Sequence, residues 1–168
     1  IGDLIPEVQS NIGFGLAGAC KLDDVIGFPA RIVRHGKNIL VPIPPCFGGS
    51  RHIADIVLTV MRFDPSKRAV MNIKYNTDLI KICKSLKFSI GSFDRAMEPN
   101  QVRTVEGSSL EWGTAYAIGN CGFVPDIIFD KGGIRKEEMI RVIAEDIEGL
   151  IDKILKIHQR YLKLLRKN

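Results

Sequence analysis

An α/β fold in three layers, with helices on both faces of a mixed sheet, is what the 168-residue sequence predicts. Three observations point to it. Segments with strand-like alternation take turns with segments whose apolar residues recur every three to four positions, as on one face of a helix. A hairpin signal near residue 36 excludes a purely parallel sheet. The chain is 45% hydrophobic, enough to bury one core at a length that suggests a single domain over residues 1–168.

Residues 10–17 predict a strand with Ile12, Phe14 and Leu16 on one face and small residues on the other. Ala30 to Arg34 and Asn38 to Ile43 flank His35-Gly36-Lys37 as a hairpin, which Pro42, Pro44 and Pro45 end. Residues 50–62 predict a helix: Ile53, Ile56, Val57, Val60 and Met61 follow the i, i+3, i+4, i+7, i+8 pattern behind Ser50, a favoured N-cap. Arg68 to Ile73 predicts a strand, and residues 77–87 a helix with Leu79, Ile80, Cys83 and Leu86 on one face. Phe88 to Phe93 follows as a strand. Residues 108–119 predict a helix opened by the capping box Ser108-Ser109-Leu110-Glu111. Val124 to Phe129 and Met139 to Ala144 predict strands around a Gly132-Gly133 turn. The last helix starts near Asp146, with an apolar stripe of Ile147, Leu150, Ile151, Ile154, Leu155, His158, Tyr161, Leu162 and Leu165.

The formal net charge of +5 invites a nucleic-acid reading, but its distribution argues against one. Residues 1–150 hold 18 basic and 18 acidic side chains, whereas residues 151–168 hold six basic and one acidic. The excess therefore belongs to one helix, where Lys153, Lys156, Arg160, Lys163 and Lys167 form a solvated face. Neither a nucleic acid nor a membrane is expected as a partner: no apolar run approaches the roughly 20 residues of a membrane span, and no signal peptide is visible. Cys20, Cys46, Cys83 and Cys121 lie 26, 37 and 38 residues apart, without metal or redox spacing. They read as buried thiols in a reducing cytoplasm. His35, His52 and His158 lack zinc spacing, so no zinc is expected. The chain begins at Ile1 rather than Met, which suggests a piece excised from a longer polypeptide. A homo-oligomer is compatible with all of this.

Chemistry gathers first at Gly48-Gly49-Ser50-Arg51-His52. Two glycines allow close backbone approach, Ser50 heads a helix whose first N–H groups are unpaired, and Arg51 adds a fork of donors: an anion site, or an ordinary turn into a helix. His52, in the first turn, can exchange a proton or hydrogen-bond an anionic leaving group. Arg31, in a strand beside Ile32 and Val33, needs a partner, either a carboxylate or a bound phosphate. Asp94 and Asp130 each follow an apolar strand and fit either Mg²⁺ ligands on a diphosphate or turn-forming residues. Glu111 is explained by the capping box, with a second role toward a ligand amine open. Trp112 fits either a ring-stacking platform or the core.

These residues fall in blocks that resemble the ThiN-type thiamine-phosphate synthase domain, from Ile5 to about Ile157. The blocks are Ile5-Pro6-Glu7-Val8-Gln9-Ser10-Asn11-Ile12, Arg31-Ile32-Val33, Phe47-Gly48-Gly49-Ser50-Arg51-His52, Met71-Asn72-Ile73-Lys74-Tyr75, Ser92-Phe93-Asp94-Arg95, Glu106-Gly107-Ser108-Ser109-Leu110-Glu111-Trp112-Gly113, and Pro125-Asp126 through Asp130. The resemblance implies a class II aldolase-like (AraD-like) fold without the zinc histidines of those aldolases. It also implies an N-terminal hydroxymethylpyrimidine phosphate kinase domain fused to this one.

The implied reaction joins hydroxymethylpyrimidine diphosphate to hydroxyethylthiazole phosphate, giving thiamine phosphate and diphosphate, with Mg²⁺ accompanying the diphosphate. The family's functional Arg and His match Arg31 and His52, which are expected to bind the diphosphate and assist its departure. Gly48, Gly49, Ser50 and Arg51 are the next candidates for phosphate contacts, and Asn72, Asp94, Glu111 and Asp130 for the pyrimidine or Mg²⁺. The alternative is a thiamine-phosphate-sensing domain of a transcriptional regulator. Those versions lack the Arg/His pair, which this sequence has.

Overall fold

The computed structural model describes residues 1–103, 108–134 and 136–166. Its strands are β1 (Ile12–Gly15), β2 (Val25–Gly27), β3 (Val33–His35), β4 (Asn38–Leu40), β5 (Cys46–Phe47), β6 (Ala69–Lys74), β7 (Ile90–Ser92), β8 (Ile127–Asp130) and β9 (Met139–Ala144). Its helices are α1 (Arg51–Phe63), α2 (Thr77–Ser85), α3 (Asn100–Arg103), α4 (Ser108–Cys121) and α5 (Ile147–Leu165). Seven strands form one mixed sheet in the order β5-β2-β1-β6-β9-β8-β7, in which only β7 and β8 run parallel.

Strand alternation sorts the sheet's side chains onto two faces. On one, Val70, Ile128 and Ile143 pack against Ile53, Val57 and Val60 of α1 and Ile118 of α4. On the other, Met71, Ile73, Ile140 and Val142 pack against Leu79 of α2 and Leu150, Ile154 and Ile157 of α5. That is the expected layering. The small residues of β1 have a packing reason: a Cβ on Gly13 would meet Val57 Cγ2 at 2.9 Å, and one on Gly15 would meet Met61 Sδ at 2.5 Å. Only glycines let α1 lie this close to the strand.

Four expectations change. The hairpin exists, but β3 and β4 form a separate two-stranded sheet, and β4 is fully exposed. The antiparallel pairs of the main sheet come instead from β1, β2, β5, β6, β8 and β9. Strands β2 and β5 and helix α3 are additions, each four residues or fewer and too short for a periodic signal. On α5 the buried stripe is Leu150, Ile154, Ile157 and Tyr161, while Ile151, Leu155 and Leu165 face outward. Lys153 leaves the basic face and turns inward, bonding the Asp126 carboxylate (2.5 Å) and the Ile143 carbonyl (2.6 Å). Lys167, and Glu106 and Gly107 of the sequence blocks, lie outside the described residues.

Candidate active site

Asn72 and Arg141 are register partners across β6 and β9. They are two residues from Val70 and Ile143, so they share the sheet face that α1 and α4 cover. There they line a cavity of about 370 Å³, within the usual range for small-molecule sites. The first turns of α1 and α4 border it through Ser50, His52 and Ile53, and through Ser109 and Leu110. Helix N-termini bring unpaired N–H groups and partial positive charge. Arg95, Lys136, Glu137 and Met139 complete one side, and Val8, Gln9, Asn11 and Arg31 another. Of the charged side chains on this lining, Arg31, Arg95, Lys136 and Arg141 are cationic and Glu137 is anionic, so the cavity favours an anion.

The Arg31 side is built on strained backbone. Ser10 and Ile32 form an isolated antiparallel bridge, with N–O distances of 3.1 and 2.8 Å. Gln9 (φ 69°) and Arg31 (φ 62°) beside it are both left-handed, which costs a non-glycine residue about 1 kcal/mol. Hydrogen bonds hold the segment. Asn72 Nδ2 donates to the Gln9 carbonyl (3.0 Å), and Asn72 Oδ1 accepts from Asn11 N–H (2.7 Å). The Glu137 carboxylate accepts the N–H groups of Glu7 (2.9 Å) and Val8 (3.0 Å). Arg31 itself is exposed and donates through Nη1 to the Val8 carbonyl. It precedes β3 and lies in no strand, and its protein partner is a backbone carbonyl rather than a carboxylate.

The cavity brings together Arg31, Ser50, His52 and Asn72 from the sequence-derived set. Ser50 sits at the N-cap of α1, yet its side chain makes no capping bond. Asn72 already spends its amide on the Gln9–Asn11 segment, which makes it a positioning residue. Gly48, Gly49, Arg51, Asp94, Glu111 and Asp130 do not line the cavity. The close approach at Gly49 is to the protein's own backbone: a Cβ there would sit 2.3 Å from the Gly27 carbonyl oxygen. Arg51 is exposed on the first turn of α1. Asp94 caps the short 3-10 turn Arg95–Met97, accepting Ala96 N–H at 2.8 Å. Glu111 pairs with Arg62 of α1 at 2.7 Å. α4 begins at Ser108, whose hydroxyl donates to the Val102 carbonyl (2.6 Å), and residues 104–107 before it lie outside the described residues. Trp112 stacks on Tyr116 with centroids 5.2 Å apart and meets Phe93 edge-on, away from the cavity lining.

Asp130 is the larger correction. Its carboxylate is fully buried and accepts Arg95 Nε (2.7 Å), Arg141 Nη1 (2.8 Å) and Gly132 N–H (2.9 Å). Two guanidiniums occupy the oxygens a metal would need, so Asp130 positions two cationic cavity residues and is not a free ligand. Both guanidiniums also lie over the Phe93 ring, at 5.5 and 5.2 Å. Burial pulls the Arg141 pKa down and the Asp130 charge opposes it. Sequence reasoning missed Arg95 and Arg141 as site residues. The signal for Arg141 was an arginine inside the apolar strand Met139–Ala144, every residue of which is buried. Among the described residues, no group of three or more His, Cys, Asp or Glu is placed to hold a metal ion.

Residues 1–156 match the family model for thiamine-phosphate synthase ThiN. The chain is 44% identical over 165 residues to a bifunctional thiamine biosynthesis protein ThiDN of Methanocaldococcus jannaschii, covering 96% of this chain and 38% of that protein. It is 34% identical over 163 residues to the thiamine-phosphate synthase ThiN of Methanothermobacter thermautotrophicus, covering 97% of this chain and 86% of that one. The crystal structure of the C-terminal domain of a phosphomethylpyrimidine kinase superposes with a TM-score of 0.87 at 35% identity, covering 92% of this chain and 88% of that one. Another solved C-terminal domain gives 0.88 at 42% identity, covering 96% and 86%.

Proposed function

The chain belongs to the ThiN thiamine-phosphate synthase family of enzymes, and on that premise we propose that its cavity is where hydroxymethylpyrimidine diphosphate and hydroxyethylthiazole phosphate condense. The carrying observation is that one cavity gathers Arg31 and His52 with the cations Arg95, Lys136 and Arg141. Both substrates are anions, and holding them together requires placed positive charge.

In this reading the thiazole nitrogen attacks the exocyclic methylene of the pyrimidine. The new C–N bond forms as the C–O bond to diphosphate breaks, and the electron pair leaves with the diphosphate. Arg31 binds that leaving group. His52, at the N-terminal turn of α1, hydrogen-bonds or protonates it, and the Ser50 hydroxyl is placed to help. Among the described residues the lining offers no carboxylate set for a protein-held Mg²⁺: Asp130 is engaged by two arginines, Glu137 by two amides, and Asp94 caps a turn outside the cavity. Mg²⁺ would accompany the diphosphate as part of that substrate and supply charge neutralisation, with Arg31 beside it.

The sensing alternative is not favoured, since the named relatives are biosynthetic proteins. Kinship of the fold with the class II aldolase group belongs to the same proposal, supported by the mixed sheet with helices on both faces. So does a kinase domain fused ahead of this one, supported by the bifunctional relative. A cytoplasmic setting is supported by four free cysteines. To test the site, Arg31→Ala and His52→Ala are assayed with both substrates. Each should lower turnover about 100-fold or more with the far-ultraviolet circular dichroism unchanged. Rates near wild type would remove these residues from the mechanism.

A further inference from the structure

Arg141 is a fully buried cation, 1% exposed. Its Nη1 is engaged by Asp130, but its Nε is shielded from solvent without a hydrogen-bond partner. A buried donor left unmade is costly, and it suits a position completed by a ligand. Arg141 lines the cavity, and the Asp130 carboxylate and the Phe93 ring fix its guanidinium in place. Arg95 borders the same cavity and shares Asp130. Lys136 joins them, with Nζ 2.9 Å from Ser109 Oγ at the first turn of the 14-residue helix α4. Two guanidiniums, an ammonium and a helix N-terminus make a preorganised receptor for a tetrahedral oxyanion.

The reaction proposed above brings two phosphorylated molecules into one cavity, and their charges repel, so each anion needs its own cations. We propose that Arg141, Arg95 and Lys136 form a second anion subsite that binds the monophosphate of the thiazole substrate. This rests on the synthase reading. The diphosphate must depart, which suits the exposed Arg31 and His52. The thiazole phosphate stays on the product, which suits cations locked by Asp130 and Phe93.

The test is steady-state kinetics with each substrate varied in turn, on wild type, Lys136→Ala and Arg141→Lys. Lys136 is exposed but pairs at 3.7 Å with the buried Glu98 carboxylate, so urea unfolding of each variant is measured beside the kinetics to show that it is folded under assay conditions. Both variants should raise KM for hydroxyethylthiazole phosphate about 10-fold or more and leave KM for the diphosphate substrate unchanged. With unphosphorylated hydroxyethylthiazole as acceptor or competitor, variants and wild type should behave alike, because the lost contact is to phosphate. A rise in KM for the diphosphate instead, or no change in either KM, overturns the proposal. Calorimetric titration of hydroxyethylthiazole phosphate keeps the two readings apart. If wild type binds it, the variants bind it more weakly and no turnover is seen, the synthase reading fails while the subsite stands. Equal binding by wild type and variants overturns the subsite.

Discussion

At the residue scale, the site depends on charges held in fixed pairs. Asp130→Asn removes the countercharge of the buried Arg141 and the partly buried Arg95. It should cost about 3 kcal/mol or more in urea unfolding and lower turnover as Arg95 and Arg141 lose their anchor. Glu111→Gln should do neither: its pair with Arg62 is half exposed on both sides, so a stability change below about 1 kcal/mol is expected. Asp126 gives a pH prediction. Burial pushes its pKa up, but the Lys153 ammonium and the Ser89 hydroxyl and amide outweigh that and hold it below the usual carboxylate range. A depressed folded pKa contributes stability above the unfolded value of about 4, and that stability is lost as pH falls through the folded pKa. Urea midpoints of Asp126→Asn from pH 6 to pH 3 should therefore fall less steeply than those of wild type. An equal fall would remove this pair from the acid response. Arg31 and His52 were legible as site residues because they match the functional Arg and His of the family the sequence resembles. Arg95 and Arg141 were not, because their importance arises from a carboxylate 35 residues from one and 11 from the other.

At the element scale, the long amphipathic helices and the central strands were readable because their apolar residues repeat with the right period. β2 and β5 were not, since two or three residues carry no period. The Gly48-Gly49 turn was noticed for a different reason than the one it serves. Its tight approach is to Gly27 in β2, and it thereby sets where α1, with Ser50 and His52, begins. Because a Cβ at Gly49 would strike backbone, which cannot swing aside, Gly49→Ala should lower stability by about 2 kcal/mol and reduce turnover with it. Helix α2 offers a chemical check. Of the four thiols the sequence predicts to be buried, only Cys83 is, and burial pushes its pKa up to about 12; Cys121 is partly exposed, and Cys20 and Cys46, on short surface segments, are exposed. In the native protein a thiol reagent should modify Cys20 and Cys46 and spare Cys83 until denaturant is added; rapid labelling of Cys83 would mean that α2 opens readily.

At the scale of the whole molecule, the net charge of +5 says little about the ligand. The excess sits on α5, on the sheet face opposite the cavity, and part of it turns inward through Lys153. The cations that matter lie in the chain's neutral part and act by position. The layers were legible from alternation and helical periodicity. The strand order was not, because pairing such as β6 with β9 joins residues about 70 apart that no local pattern connects. The most direct measurement is thiamine phosphate formed per chain, with diphosphate release followed in parallel, when the purified protein meets both substrates and Mg²⁺. We expect many equivalents of each in equal amounts; thiamine phosphate that binds tightly but is never formed would contradict the assignment of this cavity as a catalytic centre.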